Sequence, residues 1–388
     1  MPSFLTGHAT HPDWRMATEL ALAQLGPARR PRMHPALGLV YASAAFSSHF
    51  LDIRELVERR LPQVQWGGAC VPGVCADDAE YLDEPAIAIL LGQLPAGSVQ
   101  AFGAAWDDAR STAERAAATG STLLLHADPT TAELPQRIAR LAEKIAPGTV
   151  LGGIVESIPA DESSGARASG LSGICFGPEV KLLTRMTHGC SPLAREHRVT
   201  DSVGQAILEL DGRPALTVLA QDLGIALEER DLREPKRVLR RLREAPSARG
   251  LLVGLAGAAN SHRAGFGEHR MSELLGVDPH SQAIAVATHP EVGERAVFCR
   301  RDAQAARTDL IRICTELREE VEASGLTPVA AHYVSCVARG RRLFGASGAE
   351  LGLVRHNLGE LPLAGFFAQG EIAGGRVQGY TAVLTLFV

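Results

Sequence analysis

Residues 362–388 read PLAGFFAQGEIAGGRVQGYTAVLTLFV, and the reading of this stretch about Gly374-Gly375 decides how the end of the chain folds. Two glycines lack the Cβ atoms that resist positive φ, so this pair suits a two-residue hairpin turn between its apolar flanks. Such a turn sets a register: Ala373 faces Arg376, Ile372 faces Val377, Glu371 faces Gln378 and Gly370 faces Gly379. Strand alternation then places Phe367, Gln369, Glu371, Gln378, Tyr380, Leu384 and Leu386 on one face, with Phe366, Ala368, Val377, Val383 and Phe387 on the other. Both faces are largely apolar, so the sheet is expected to be covered on both sides. The polar group Gln369, Glu371, Gln378 and Tyr380 is the exception.

A buried carboxylate is costly unless it meets a cation, a donor or solvent. Upstream, residues 328–340 read PVAAHYVSCVARG, a strand that runs out at Gly340. Arg339, three residues beyond Cys336, is the cation expected beside Glu371. The expectation is a pocket holding a thiol, a guanidinium and a carboxylate around a gap left by Gly370.

The stretches Ser335 to Gly340, Arg342 to Gly345, Leu361 to Ile372 and Gly379 to Val383 resemble the C-terminal half of FIST domains, sensory modules named for F-box and intracellular signal transduction proteins. Gly267 to Asp278, Arg301-Asp302-Ala303 and Asp309-Leu310 continue that resemblance. Gly67-Gly68-Ala69-Cys70 with Gly73, and the run from Glu179 through Ala215, are similar to the N-terminal half. The resemblance covers the chain from about residue 35 to its end. It implies a sensor of small ligands, with amino acids the suggested ligands, and a FIST N-terminal domain over 1–212 followed by a FIST C-terminal domain over 213–388. Some relatives in the family are taken to carry haem and sense nitric oxide.

The chain has 388 residues, 46% hydrophobic and 21% charged, which is a globular composition. A formal net charge of −5 argues against broad phosphate-binding surfaces, so nucleic acid is not an expected partner. No basic leader precedes an apolar run at the start, and no stretch reaches about 18 uninterrupted apolar residues. The expectation is a cytoplasmic protein without membrane insertion. Seven scattered cysteines read as reduced thiols rather than a disulfide framework. Cys70 and Cys75 are the closest pair and lack a second pair at zinc-ligand spacing.

Along the chain, helices are expected over Asp13–Leu25, around Leu51–Leu61, after a Thr131 cap with the stripe Leu134, Ile138, Leu141 and Ile145, and over Asp302–Ser324 with Gly325 as the stop. Strands are expected at Leu37–Ala42, Ala86–Leu91, Ser121–His126, Thr149–Val155 and in several later runs. The order strand, helix, strand into a double glycine occurs at Gly67-Gly68 and again at Gly152-Gly153, a repeat of order. Asp211-Gly212-Arg213-Pro214 is a turn and the expected domain boundary. The basic segment Arg233–Arg243 is interleaved with acids and reads as a solvated helix face. Strands that follow one another without helices exclude a strictly alternating doubly wound sheet. The expected class is α+β, with mixed and antiparallel sheets in a layered helix–sheet–sheet–helix arrangement of two related halves.

No phosphate loop, Gly-x-Ser-x-Gly elbow or His-Glu-x-x-His sequence is present, and the glycine-rich run from Gly257 to Gly267 lacks a dinucleotide fingerprint. The leading functional expectation is a sensory protein that binds a small polar ligand between its halves and signals through a separate partner protein. Its expected ligand-binding residues are Cys336, Arg339, Phe367, Gln369, Gly370, Glu371 and Tyr380. No cofactor is required by this reading. Two alternatives stand beside it: a haem-binding gas sensor with His49, His188, His332 or His356 as the axial ligand, and a thiol enzyme using Cys336.

Overall fold

A computed structural model describes residues 3–26, 36–103, 106–116, 120–157, 170–228, 231, 234–245, 248, 250–257 and 269–388. Residues 258–267 of the glycine-rich run, and Arg233, lie outside that set. The protein is α+β, with mixed and antiparallel sheets. It divides into two compact units, Met1–Thr187 with Asp309–Val388, and His188–Thr308.

The first unit contains three sheets, and each is built around a parallel pair. Leu37–Ser43 pairs with Gln65–Val71, Thr122–Ala127 with Thr149–Ile154, and Ala330–Cys336 with Leu363–Ala368. A helix follows the first strand of each pair, at Phe50–Arg60, Leu134–Ile145 and Ala349–Leu358 respectively. Parallel strands need such a crossover, because a tight turn only reverses direction. The double glycines belong to this construction. Gly68 has φ 145° and Gly152 φ 137°, and a Cβ at either would lie 1.9 Å from the Val40 carbonyl oxygen or 2.0 Å from that of Leu125. The repeat of order visible in the sequence is therefore a repeat of backbone contact, and the C-terminal pair is a third unit of the same kind.

Leu39, Leu124, Leu151, Val334, Phe366 and Val383 share one hydrophobic cluster, to which all three sheets contribute. The other face of the first sheet packs on Trp14–Gln24 and Phe50–Arg60 through Ala21, Ile53 and Val57. On the second sheet, Leu134, Ile138, Leu141 and Ile145 form the buried stripe of their helix, as their helical spacing predicts. That helix starts later than expected. Glu133, at φ 53°, stands at the cap position and Pro135 in the first turn, while the Thr131 hydroxyl donates to the Gly170 carbonyl at 3.1 Å.

The C-terminal hairpin has the expected register from Glu371↔Gln378 to Ala373↔Arg376, and Gly374 and Gly375 take φ of 56° and 78°. The continuous two-faced sheet expected around it does not form. Glu371–Ala373 and Arg376–Gln378 extend the edge of the second sheet, with Glu371 opposite Gly153, whereas Leu363–Ala368 and Thr381–Phe387 flank Ala330–Cys336 in the third. The chain crosses between sheets at Gln369-Gly370, where Gln369 N donates to the Ile154 carbonyl and Ile154 N to that of Gly370. It returns through Gly379 and Tyr380, the latter at φ 64°. Alternation counts faces only along an unbroken strand, and these crossings break it.

The second unit holds one large sheet whose core includes Val199, Leu216, Leu219, Val253, Ile284 and Phe298. Asp211-Gly212 forms the turn between Ala206–Leu210 and Arg213–Pro214 inside this unit. In the helix Pro235–Glu244, Val238 is buried, Arg237 lies 3.4 Å from Glu234 and Arg241 lies 3.5 Å from Asp231.

Candidate functional site

Arg339 is fully buried, and its partner is not the one expected from the sequence. Its Nε donates to Glu350 Oε1 at 2.7 Å, and Nη2 lies 2.6 Å from the same oxygen. Glu350 sits in the first turn of the helix Ala349–Leu358 and is 1% exposed. Its carboxylate also accepts from the Tyr333 hydroxyl at 2.7 Å, the Ser335 hydroxyl at 3.2 Å and Gly340 N at 2.9 Å. Tyr333 and Ser335 alternate along one face of Ala330–Cys336, so the strand period aims both at the helix. The guanidinium carbon lies 5.4 Å from the Phe344 ring centroid. Arg339 Nη1 has no hydrogen-bond partner.

Glu371 is also fully buried. Oε2 accepts from Thr381 N at 3.1 Å and the Thr381 hydroxyl at 2.7 Å. The Cys336 thiol is a further, weaker donor to this carboxylate, and no conventional donor reaches Oε1. Burial pushes the Glu371 carboxyl up to about 8, against the pull of Thr381, the Arg339 charge and Cys336. Opposite it in the hairpin, the buried Gln378 also leaves its side-chain oxygen unpaired. Glu80 joins the cluster from the strand Ala79–Leu82, and burial together with the neighbouring Glu350 charge raises it to about 7. Burial, then the charges of Glu80 and Glu350, push the Cys75 thiol well up.

The interior thus holds a saturated carboxylate, Glu350, and near it an unsaturated set: Arg339 Nη1, Glu371 Oε1 and Gln378 Oε1. The structure brings Cys336, Arg339 and Glu371 together. Arg339 acts on Glu371 only through its field, and the direct ion pair is with Glu350, which the sequence reading missed. An acidic residue opening a helix reads as an ordinary dipole partner, and nothing local says that it turns inward. Phe367 lies at the edge of the cluster. It stands beside Ser335 in register and packs against Gly73 and Gly340. Gln369 is exposed and donates to Glu156 at 3.0 Å. Gly370 lies in the crossing beside Ile154 and Val377, and Tyr380 is half-buried at the return. All seven residues belong to the first unit, where Glu371 pairs with Gly153 and a Cβ on Gly340 would meet Glu80, both residues of the N-terminal part of the chain.

A second buried polar junction lies in the shared core. The Tyr41 hydroxyl is 2.7 Å from His332 Nε2 and 3.1 Å from His126 Nε2. Each of the three parallel pairs supplies one of these residues. A phenol has one proton, so it donates to one ring and accepts from the other. Burial holds both imidazoles down to about 3, hence neutral. His332 also packs against Phe366, with ring centroids 6.0 Å apart. Elsewhere in the first unit a cleft of about 330 Å³ runs between Thr6, His8, Asp77, Arg355, Leu358 and Pro362.

Three parallel pairs wound around one core, with a charged cluster closed inside, define an α+β module of repeated strand–helix–strand units. The chain belongs to the FIST family: the FIST N domain matches residues 36–213 and the FIST C domain residues 215–374. FIST domains are associated with sensing in signal transduction. Over its whole length the chain is similar to the uncharacterized protein Rv0628c of Mycobacterium tuberculosis, at 32% identity across 98% of both chains. It is likewise similar to the uncharacterized protein Mb0898c of Mycobacterium bovis, at 30% identity across 98% of both. No helix among the described residues is long and apolar enough to cross a membrane.

Proposed function

We propose that this protein is a cytoplasmic sensory protein whose first unit binds a small polar ligand at the Arg339–Glu371 cluster and passes the signal to a separate partner protein. One observation carries the reading: a guanidinium nitrogen, a carboxylate oxygen and an amide oxygen are buried together without hydrogen-bond partners. Each such atom costs about 1–3 kcal/mol when left unpaired, and a ligand with a donor for Glu371 and Gln378 and an acceptor for Arg339 recovers that cost. A donor-rich ligand such as an ammonium or hydroxyl compound fits the two oxygens. Ligand binding here favours ionised Glu371, so affinity for a cation rises with pH up to about 8.

The test is a thermal-shift panel of small amines, amino acids and hydroxy acids on the wild type, Glu371→Gln and Gln378→Leu. A compound that raises Tm in the wild type and loses that effect in Glu371→Gln supports the reading. A panel that shifts nothing, or shifts all three proteins equally, overturns it.

A further inference from the structure

Three sulfur-bearing side chains from three strands of the second unit are linked through Cys190. Cys190 opens the strand Cys190–Pro192, Cys299 lies in Arg295–Arg301, and Met271 lies in Arg270–Asp278. The Cys190 thiol donates to Met271 Sδ at 3.5 Å. Cys190 and Cys299 are within hydrogen-bonding reach of each other, and that contact, with burial, drives the Cys299 thiol upward. Met271 reaches them over Gly254, where a Cβ would meet Met271 Cε at 2.9 Å.

Register excludes the ordinary fate of two neighbouring thiols. Cys190 is opposite Arg301 and Pro192 is opposite Cys299, so the two cysteines are diagonal across the ladder. Diagonal positions stand about 7–8 Å apart at Cα, beyond the span of an unstrained disulfide. A bridging metal has no such limit. With metal–sulfur bonds of about 2.3 Å, a trigonal site needs sulfurs about 4 Å apart, and those of Cys190 and Met271 stand 3.5 Å apart.

We propose that Cys190, Cys299 and Met271 form a binding site for one Cu(I) ion. Two thiolates and a thioether are soft donors, and that set selects a soft monovalent ion. A closed structural zinc site takes four protein ligands, and His269, the residue before the strand Arg270–Asp278, is paired with Glu196 at 3.0 Å. On loading, each thiol releases its proton to solvent as its sulfur takes the metal, so one Cu(I) enters, two protons leave and copper keeps its oxidation state. The site gains one negative charge, and Arg301, directly across from Cys190, supplies a positive one.

The experiment titrates reduced, anaerobic full-length protein against Cu(I) held by bicinchoninate. The expected result is withdrawal of one equivalent, with a sulfur-to-copper charge-transfer band in the ultraviolet. Cys190→Ala and Cys299→Ala lose that equivalent, and Cys175→Ser, at a thiol of the first unit, retains it. Met271→Leu, which conserves volume and so preserves the fold, weakens binding by about tenfold or more. The proposal is overturned if the wild type withdraws no copper, if the variants bind as the wild type does, or if Zn(II) is held as tightly and Met271→Leu changes nothing.

Discussion

Tyr41 and His332 meet 2.7 Å apart in the core, a hydroxyl from the first parallel pair against an imidazole from the third. His126 of the second pair lies on the other side of the same oxygen, so one hydroxyl ties three sheets together. Tyr41→Phe removes that oxygen and leaves both Nε2 atoms buried without a partner. The expected cost is about 1–3 kcal/mol, read as a lower urea midpoint with an unchanged m-value.

The Arg339–Glu350 pair makes a second prediction. Removing one member of a buried ion pair strands the other, so Arg339→Met and Glu350→Leu each cost about 3–5 kcal/mol. The double variant costs less than their sum by about 1–3 kcal/mol, because neither charge is then left alone. Denaturant unfolding of the four proteins measures this, and strict additivity would show that the pair is not coupled.

Stability should fall as pH rises through neutrality. Burial raises Glu371 to about 8 and Glu80 to about 7, so the folded protein binds protons that the unfolded chain has already released. Their contribution is complete below the ordinary carboxylate range and is lost as pH climbs through those two values. For Glu371 the loss is on the order of a few kcal/mol. Glu371→Gln cannot ionise, and its Tm between about pH 5 and pH 9 should decline less steeply than that of the wild type.

The glycine contacts separate crowding from conformational strain. Gly68→Ala places a Cβ 1.9 Å from the Val40 oxygen at φ 145° and should cost about 3 kcal/mol or more. Gly97→Ala, at φ 79° with nothing within 4 Å, should cost about 1 kcal/mol. Comparable losses in the two variants, measured by denaturant unfolding, would show that the carbonyl contact is not the limiting feature.

Much of the local structure was legible because its causes are local. The stripe Leu134, Ile138, Leu141 and Ile145 has helical spacing and is buried, and Gly374-Gly375 turns the chain as two adjacent glycines permit. What alternation could not show was where a strand leaves its sheet. Gln369 and Glu371 are two residues apart and were assigned one face, yet the crossing at Gly370 sends one to Glu156 near the surface and buries the other completely.

The sequence by itself determined the α+β class, the family, the hairpin register and the presence of Cys336, Arg339 and Glu371 in one neighbourhood, since periodicity, turn chemistry and family pattern act over short spans of chain. Tertiary structure alone decided that Arg339 binds Glu350, that Tyr41, His126 and His332 share one oxygen, and that Cys190, Cys299 and Met271 converge. Those partners are separated by between 11 and 291 residues, and only the packing of strand–helix–strand units, which no local pattern encodes, brings them within bonding distance.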